Sequence, residues 1–188
     1  MNILEQCTLR PVRLESAGWS PAESTQSAAA SNRQDMAQPY KIVYEQVVPR
    51  PLEEVFSFFA QARNLEQITP DWLNFTVLSV TPEPIQQGTL IHYRLRLHGL
   101  PLRWTSEITE WHPPNKFVDV QRQGPYKLWH HAHLFYGEGR NTRIRDEVLY
   151  ALPFGVIGSL ANSLAVGRDV KRIFAFREEK IASLFGQP

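Results

Sequence analysis

From Asn74 to Leu152 the chain reads as six strand-like runs joined by turns that are too short to hold a crossover helix. Parallel strands need a connection of about a dozen residues or more, so this spacing forces an antiparallel meander. The first run, Asn74 to Val80, is closed by Pro82 and Pro84. The second, Gly88 to His98, sets Ile91, Tyr93, Leu95 and Leu97 against His92, Arg94, Arg96 and His98 in strict alternation, which marks a half-buried strand. Gly99-Leu100-Pro101 reverses the chain into Leu102 to Trp111, and Pro113-Pro114-Asn115 into Lys116 to Gln123. Gly124-Pro125 then leads into Tyr126 to Tyr136, and Gly137 to Asn141 into Thr142 to Leu152.

Other elements flank the meander. Tyr40 to Val48 is β-branched and aromatic, hence a strand, stopped by Pro49-Arg50-Pro51. Pro51 suits a first helical turn, and Leu52, Val55, Phe56 and Phe59 form an apolar stripe behind it. A second short helical piece, Arg63 to Gln67, ends before Pro70. Beyond Pro153 the helical period returns: Ile157, Leu160 and Leu164 share a face, then Ile173, Phe174, Ile181, Leu184 and Phe185 continue one. Gly167 predicts a break, with Asp169 near the start of a long last helix. A sheet of this size has an apolar face to cover, and that helix is the natural cover.

Composition narrows the function classes. The 188 residues carry a formal charge of +1, which leaves no basic footprint for nucleic acid. Cys7 is the single cysteine, so disulfide frameworks and cysteine zinc sites are excluded. No glycine-rich phosphate loop and no Gly-x-Ser-x-Gly elbow occurs. No apolar run approaches the ~18 residues of a membrane span, and the first residues lack a secretory pattern, so a cytoplasmic location is expected. From Glu15 to Gln38 the chain is rich in Ser, Ala and Gln and poor in large aliphatics. Residues 1–38 are therefore read as a flexible lead and 39–188 as one folded domain.

The element order, with Gly124-Pro125-Tyr126, Trp129, His131, His133 and Phe135, then Tyr150 and Leu152-Pro153-Phe154-Gly155, resembles the START/Bet v 1-like superfamily. This is the SRPBCC or polyketide cyclase/dehydrase-like group, and a bacterial-type subgroup of it in particular. The resemblance implies an α+β helix-grip fold: a curved antiparallel sheet wrapped around a long C-terminal helix, with two short helices after the first strand. It also implies a hydrophobic ligand cavity between sheet and helix, and it favours Trp129, His131, His133 and Phe135 as inward-facing.

Alternation sorts the other strands. Arg143, Arg145 and Glu147 belong in water, so Ile144, Asp146, Val148 and Tyr150 face inward. Trp104, Ser106 and Ile108 oppose Arg103, Thr105 and Glu107, and Phe117, Asp119 and Gln121 oppose Val118, Val120 and Arg122. The expected ligand-binding set is Trp104, Ser106, Gln121, Trp129, His131, His133, Phe135, Asp146 and Tyr150. A mostly apolar hollow with sparse polar anchors suits a small hydrophobic molecule such as a lipid, quinone or polyketide-like compound. That is a binding role rather than an enzymatic one, without cofactor. The alternative is a cyclase or dehydratase in which His131 or His133 acts as base with Asp146 or Tyr150 as partner. His131-Ala132-His133 spacing also occurs at metal sites, but the surrounding aromatics favour an organic ligand, and no metal is assigned. A third role is contact of exposed Trp72 and Leu73 with a partner protein or, transiently, a membrane surface. His92, His98 and the run Arg177-Glu178-Glu179-Lys180 read as solvated. No feature specifies an oligomeric state.

Overall fold

The computed structural model describes residues 39–153 and 166–187. The expected lead 1–38 and the stripe Ile157, Leu160 and Leu164 lie outside the described residues. Strand β1 (Tyr40–Val48) is followed by helix α1 (Leu52–Phe59) and by 3-10 turns at Ala62–Glu66 and Asp71–Leu73. The meander is β2 (Thr76–Thr81), β3 (Leu90–Leu97), β4 (Leu100–His112), β5 (Lys116–Gln123), β6 (Leu128–Glu138) and β7 (Asn141–Ala151). Helix α2 (Gly167–Phe185) comes last.

The strands form one seven-stranded sheet in the order β1-β7-β6-β5-β4-β3-β2, and every pairing is antiparallel. All neighbours in the sheet are consecutive in sequence except β1 and β7, which pair from Tyr40↔Tyr150 to Val48↔Thr142. Register shifts fall at Val77/Ser79, Thr105/Ser106 and Ile108/Glu110. Such bulges bend a strand and increase its twist, which is how a long sheet curls around a helix. Together with the cover helix they give the expected helix-grip arrangement.

Helix α1 closes one end of the hollow. Pro51, at its N-cap in an extended conformation, starts it, and Val55 and Phe56 are its buried residues. The Phe56 ring meets Trp111, Phe117 and Phe135 with centroids 5.3, 6.2 and 5.5 Å away. Burying one such phenylalanine contributes about 1.5–3 kcal/mol. Asp71–Leu73, an element that the sequence reading did not anticipate, turns Leu73 inward to 3% exposure. The expected Trp72/Leu73 surface patch therefore does not form; Trp72 alone stays exposed, under the Arg172 guanidinium at 5.3 Å.

Helix α2 lays Val170, Phe174, Arg177, Ile181 and Phe185 into the protein. These positions are three or four apart, one stripe of a helix. Three contacts fix the helix on the sheet. The Phe174 ring stacks flat on Tyr44, 4.4 Å apart with 1° between planes. The Gln46 side-chain amide donates to the Glu178 carbonyl at 2.9 Å. His98 Nε2 lies 2.8 Å from Asp169 Oδ2, so His98 is engaged with the helix rather than simply solvated. Its positive φ of 51° in the β3–β4 turn aims it there.

Candidate functional site

Between the sheet and α2 lies a cavity of about 180 Å³. For scale, an apolar cavity of ~150 Å³ is enough to hold benzene. Its walls are chiefly aliphatic and aromatic, with Leu95, Ile108, Phe75, Tyr93, Trp104 and Trp129 among them. Trp104 is the hub of the aromatic wall. Its ring meets Tyr93 (6.0 Å), Tyr126 (5.5 Å) and Trp129 (5.3 Å, perpendicular). Edge-to-face packing of this kind locks flat walls without filling the space between them.

One wall is polar. Ser106 Oγ on β4 receives the Trp104 indole N–H at 3.1 Å, lies 2.6 Å from the Tyr93 hydroxyl and donates to Asp119 Oδ1 at 3.0 Å. The other oxygen of Asp119, on β5, faces His133 Nε2 at 3.2 Å and His131 Nδ1 at 3.5 Å, both on β6. Asp146, on β7, takes the far sides of the same rings: its Oδ1 is 3.1 Å from His131 Nε2 and 2.8 Å from His133 Nδ1. The two imidazoles lie with centroids 3.7 Å apart and planes tilted by 36°, between two carboxylates. Sheet register makes this box, because His133 pairs Asp146 across β6–β7 while His131 pairs Asp119 across β5–β6. The 2.8 Å contact at His133 Nδ1 is a charge contact rather than a directed hydrogen bond, since that N–H points off the oxygen and finds no other partner.

Electrostatics distribute the protons. Burial alone would strip the charge from both imidazoles. At His133 the Asp146 charge and the hydrogen bond to Asp119 outweigh burial and raise the pKa. At His131 burial and the neighbouring His133 charge win, and the pKa is lowered. Burial pushes both carboxyls up, but contact with the histidines more than reverses this and holds Asp119 and Asp146 low. When the pair carries one proton beyond neutrality, the charge is therefore favoured on His133, with His131 the neutral ring. Four nitrogen–oxygen contacts then share three N–H protons. Assigning the missing one to the longest contact, 3.5 Å at His131 Nδ1, makes that atom the box's free base. Tyr93, deeply buried and beside Asp119, has its phenol pKa raised and remains a neutral donor.

Of the expected site residues, Trp104, Ser106, Trp129, His131 and His133 line the cavity. Four do not. Gln121 folds back over the 121–126 turn, donating to the Tyr126 carbonyl at 2.7 Å and accepting its N–H at 3.3 Å. Phe135 is fully buried among the Phe56, Phe59 and Phe117 rings, deeper than the cavity wall. Asp146 stands behind the histidines, against a smaller crevice under α2. Tyr150 packs in a separate cluster with Val148, Val170 and Phe174. Asp119 and Arg177 line the cavity and were not among the expected site residues. Arg177 corrects the solvated reading of its run, being 9% exposed. Asp119, His131 and His133 offer donor atoms within 4.8 Å of one another, a spacing that among the described residues could hold a divalent cation. Here the same atoms are turned on each other.

Comparison with solved structures returns the same fold at low identity. The chain aligns with ginseng major latex-like protein 151 from Panax ginseng at TM-score 0.60 and 10% identity, covering 79% of this chain and 99% of that one. It aligns with the Zhui aromatase/cyclase from Streptomyces sp. R1128 at 0.57 and 12%, covering 78% and 96%. A START superfamily protein from Mycobacterium smegmatis aligns at 0.54 and 13%, covering 77% and 98%. No curated protein matches significantly. The profile described as polyketide cyclase / dehydrase and lipid transport matches residues 48–174, from the end of β1 into α2 and across the whole meander. On that match the chain belongs to the polyketide cyclase / dehydrase and lipid transport family.

Proposed function

We propose that this protein binds a small, mainly apolar, ring-bearing molecule in the cavity between its sheet and α2. The observation that carries this reading is the cavity itself: about 180 Å³ of space behind largely aromatic and aliphatic walls, with a few hydrogen-bonding side chains among them. Removing apolar ligand surface from water supplies roughly 25 cal/mol per Å², and Ser106, Tyr93 and Asp119 then set orientation. The volume suits one or two fused rings rather than a long chain.

Thermal denaturation with ring compounds, joined to mass spectrometry of co-purified ligand, tests it. A ligand at a hundred times its Kd stabilises by about 2.7 kcal/mol, or roughly 5–10 °C in a domain of this size. Leu95→Trp, which fills the cavity, is expected to abolish the shift while leaving the unliganded melting point within a few degrees. A shift that persists in the plugged variant would place the ligand elsewhere.

A second reading, acid–base turnover of that ligand, is favoured by one observation: His131 lines the cavity, and its Nδ1 stands 3.5 Å from Asp119, the longest of the four contacts in the box. A cyclase or dehydratase needs such a base to take a carbon-bound proton, and general-base catalysis contributes about 10²–10⁴-fold. The expected signature is deuterium exchange at the central carbon of a 1,3-diketone, followed by NMR and lost in His131→Gln. Exchange no faster than in buffer leaves a binding protein.

A further inference from the structure

Arg177 is the one charged side chain of α2's buried stripe that the polar wall does not use. It is 9% exposed, it borders both the main cavity and the smaller crevice, and its Nε is buried without a hydrogen-bond partner. Among the described residues it makes no ion pair; its guanidinium rests on the Phe174 ring, 5.0 Å from the centroid. Arginine stays protonated in proteins, so the charge cannot be shed on burial. A cation–π contact of this kind offsets only part of the cost of taking an ion out of water. Asp119, the carboxylate that shares the cavity, is engaged on the sheet side by Ser106 and His133.

We infer that Arg177 is the anion anchor of the cavity and that the ligand is a small aromatic carboxylate, held with its ring against the Trp104–Trp129 wall and its carboxylate on the guanidinium. A planar fork of N–H donors matches a carboxylate bidentately. The ligand supplies a counter-charge that no described side chain brings within ion-pair distance of the guanidinium, and the ring fills space that the aromatic walls leave open. Held this way, the ligand has its charged end at the helix, and its opposite edge faces the box of His131, His133, Asp119 and Asp146. This inference rests on the cavity-binding reading above and adds the ligand's charge to it.

Isothermal titration with 2-naphthoate and its neutral isostere 2-naphthamide separates the two ideas. Wild-type protein is expected to bind the carboxylate at least about tenfold more tightly than the amide, as a hydrogen bond to a charged group implies. In Arg177→Met the preference should vanish while amide affinity holds; in Arg177→Lys part of it should remain. Equal affinities in the wild type, or a preference untouched by Arg177→Met, would overturn the anchor and leave the apolar cavity standing. Binding of neither compound to the wild type would overturn both readings. The wild-type ratio decides the matter even if a variant fails to fold.

Discussion

Asp146 never touches the cavity, yet it governs what the cavity's histidines can do. Its charge is the largest influence raising the His133 pKa against burial. Asp146→Asn is therefore expected to bring the His133 pKa down, read by an NMR titration of the ring nitrogens. Losing one partner of a buried charged group costs about 3 kcal/mol or more, visible as a lower urea midpoint. An unchanged His133 titration would rule out the proton distribution derived from the four contacts. Alternation with Arg143, Arg145 and Glu147 found Asp146, whereas both faces of the 126–136 run are partly apolar, so His131 and His133 were picked out by the family resemblance and not by parity. Asp119 had the same alternation signal, sharing its face with Phe117. Gln121 was preferred there, but the close of β5 turns it away from the cavity. Arg177 was hidden by its neighbours Glu178, Glu179 and Lys180, although it falls three residues after Phe174 and four before Ile181, squarely on the buried stripe.

At the scale of elements, turn chemistry was the most legible part of the chain. Proline and glycine placed every strand to within a few residues, and β5 was read with its observed bounds, Lys116–Gln123. What turns do in three dimensions was not readable. Gly124 leaves room for the folded-back Gln121 side chain, which occupies the space where a Cβ would stand. That side chain clamps Tyr126, whose ring packs on Trp104 and Trp129 at the cavity wall. Gly124→Ala is expected to push the flexible Gln121 amide aside at a cost of no more than about 1 kcal/mol, while the Tyr126 amide exchanges with solvent at least tenfold faster. Hydrogen exchange resolved by residue measures this; unchanged protection at Tyr126 would mean that the clamp does not hold the turn. Bulges were likewise invisible, since the shifts in β4 depend on what β5 offers opposite them rather than on any local residue preference.

For the molecule as a whole, the box predicts how stability follows pH. His133 has a raised pKa, so its contribution is complete below the ordinary histidine value of ~6.5 and is lost as pH rises through its folded value. His131 has a lowered pKa, so the unfolded chain takes up its proton first, and stability falls as pH drops below ~6.5. Asp119, Asp146 and Glu147, all lowered, contribute above the ordinary carboxyl range and lose that contribution in acid as pH falls through their folded values. Urea midpoints against pH should therefore peak near ~6.5 and decline on both sides, steeply below ~4. In Asp146→Asn the alkaline decline should flatten. A monotonic rise from pH 5 to 8 would contradict the assignment.

The β1–β7 seam has a consequence of its own. Every other strand pair is a neighbour along the chain and can zip up by itself, whereas Tyr40–Val48 must find Asn141–Ala151 across roughly a hundred intervening residues. Loop-closure entropy penalises that step until the intervening hairpins are in place. Tyr44, which stacks on Phe174 of α2, travels with this strand. The lid is thus latched to the last strand to dock. The cavity that the helix covers is therefore completed only when this seam and the C-terminal helix have both docked.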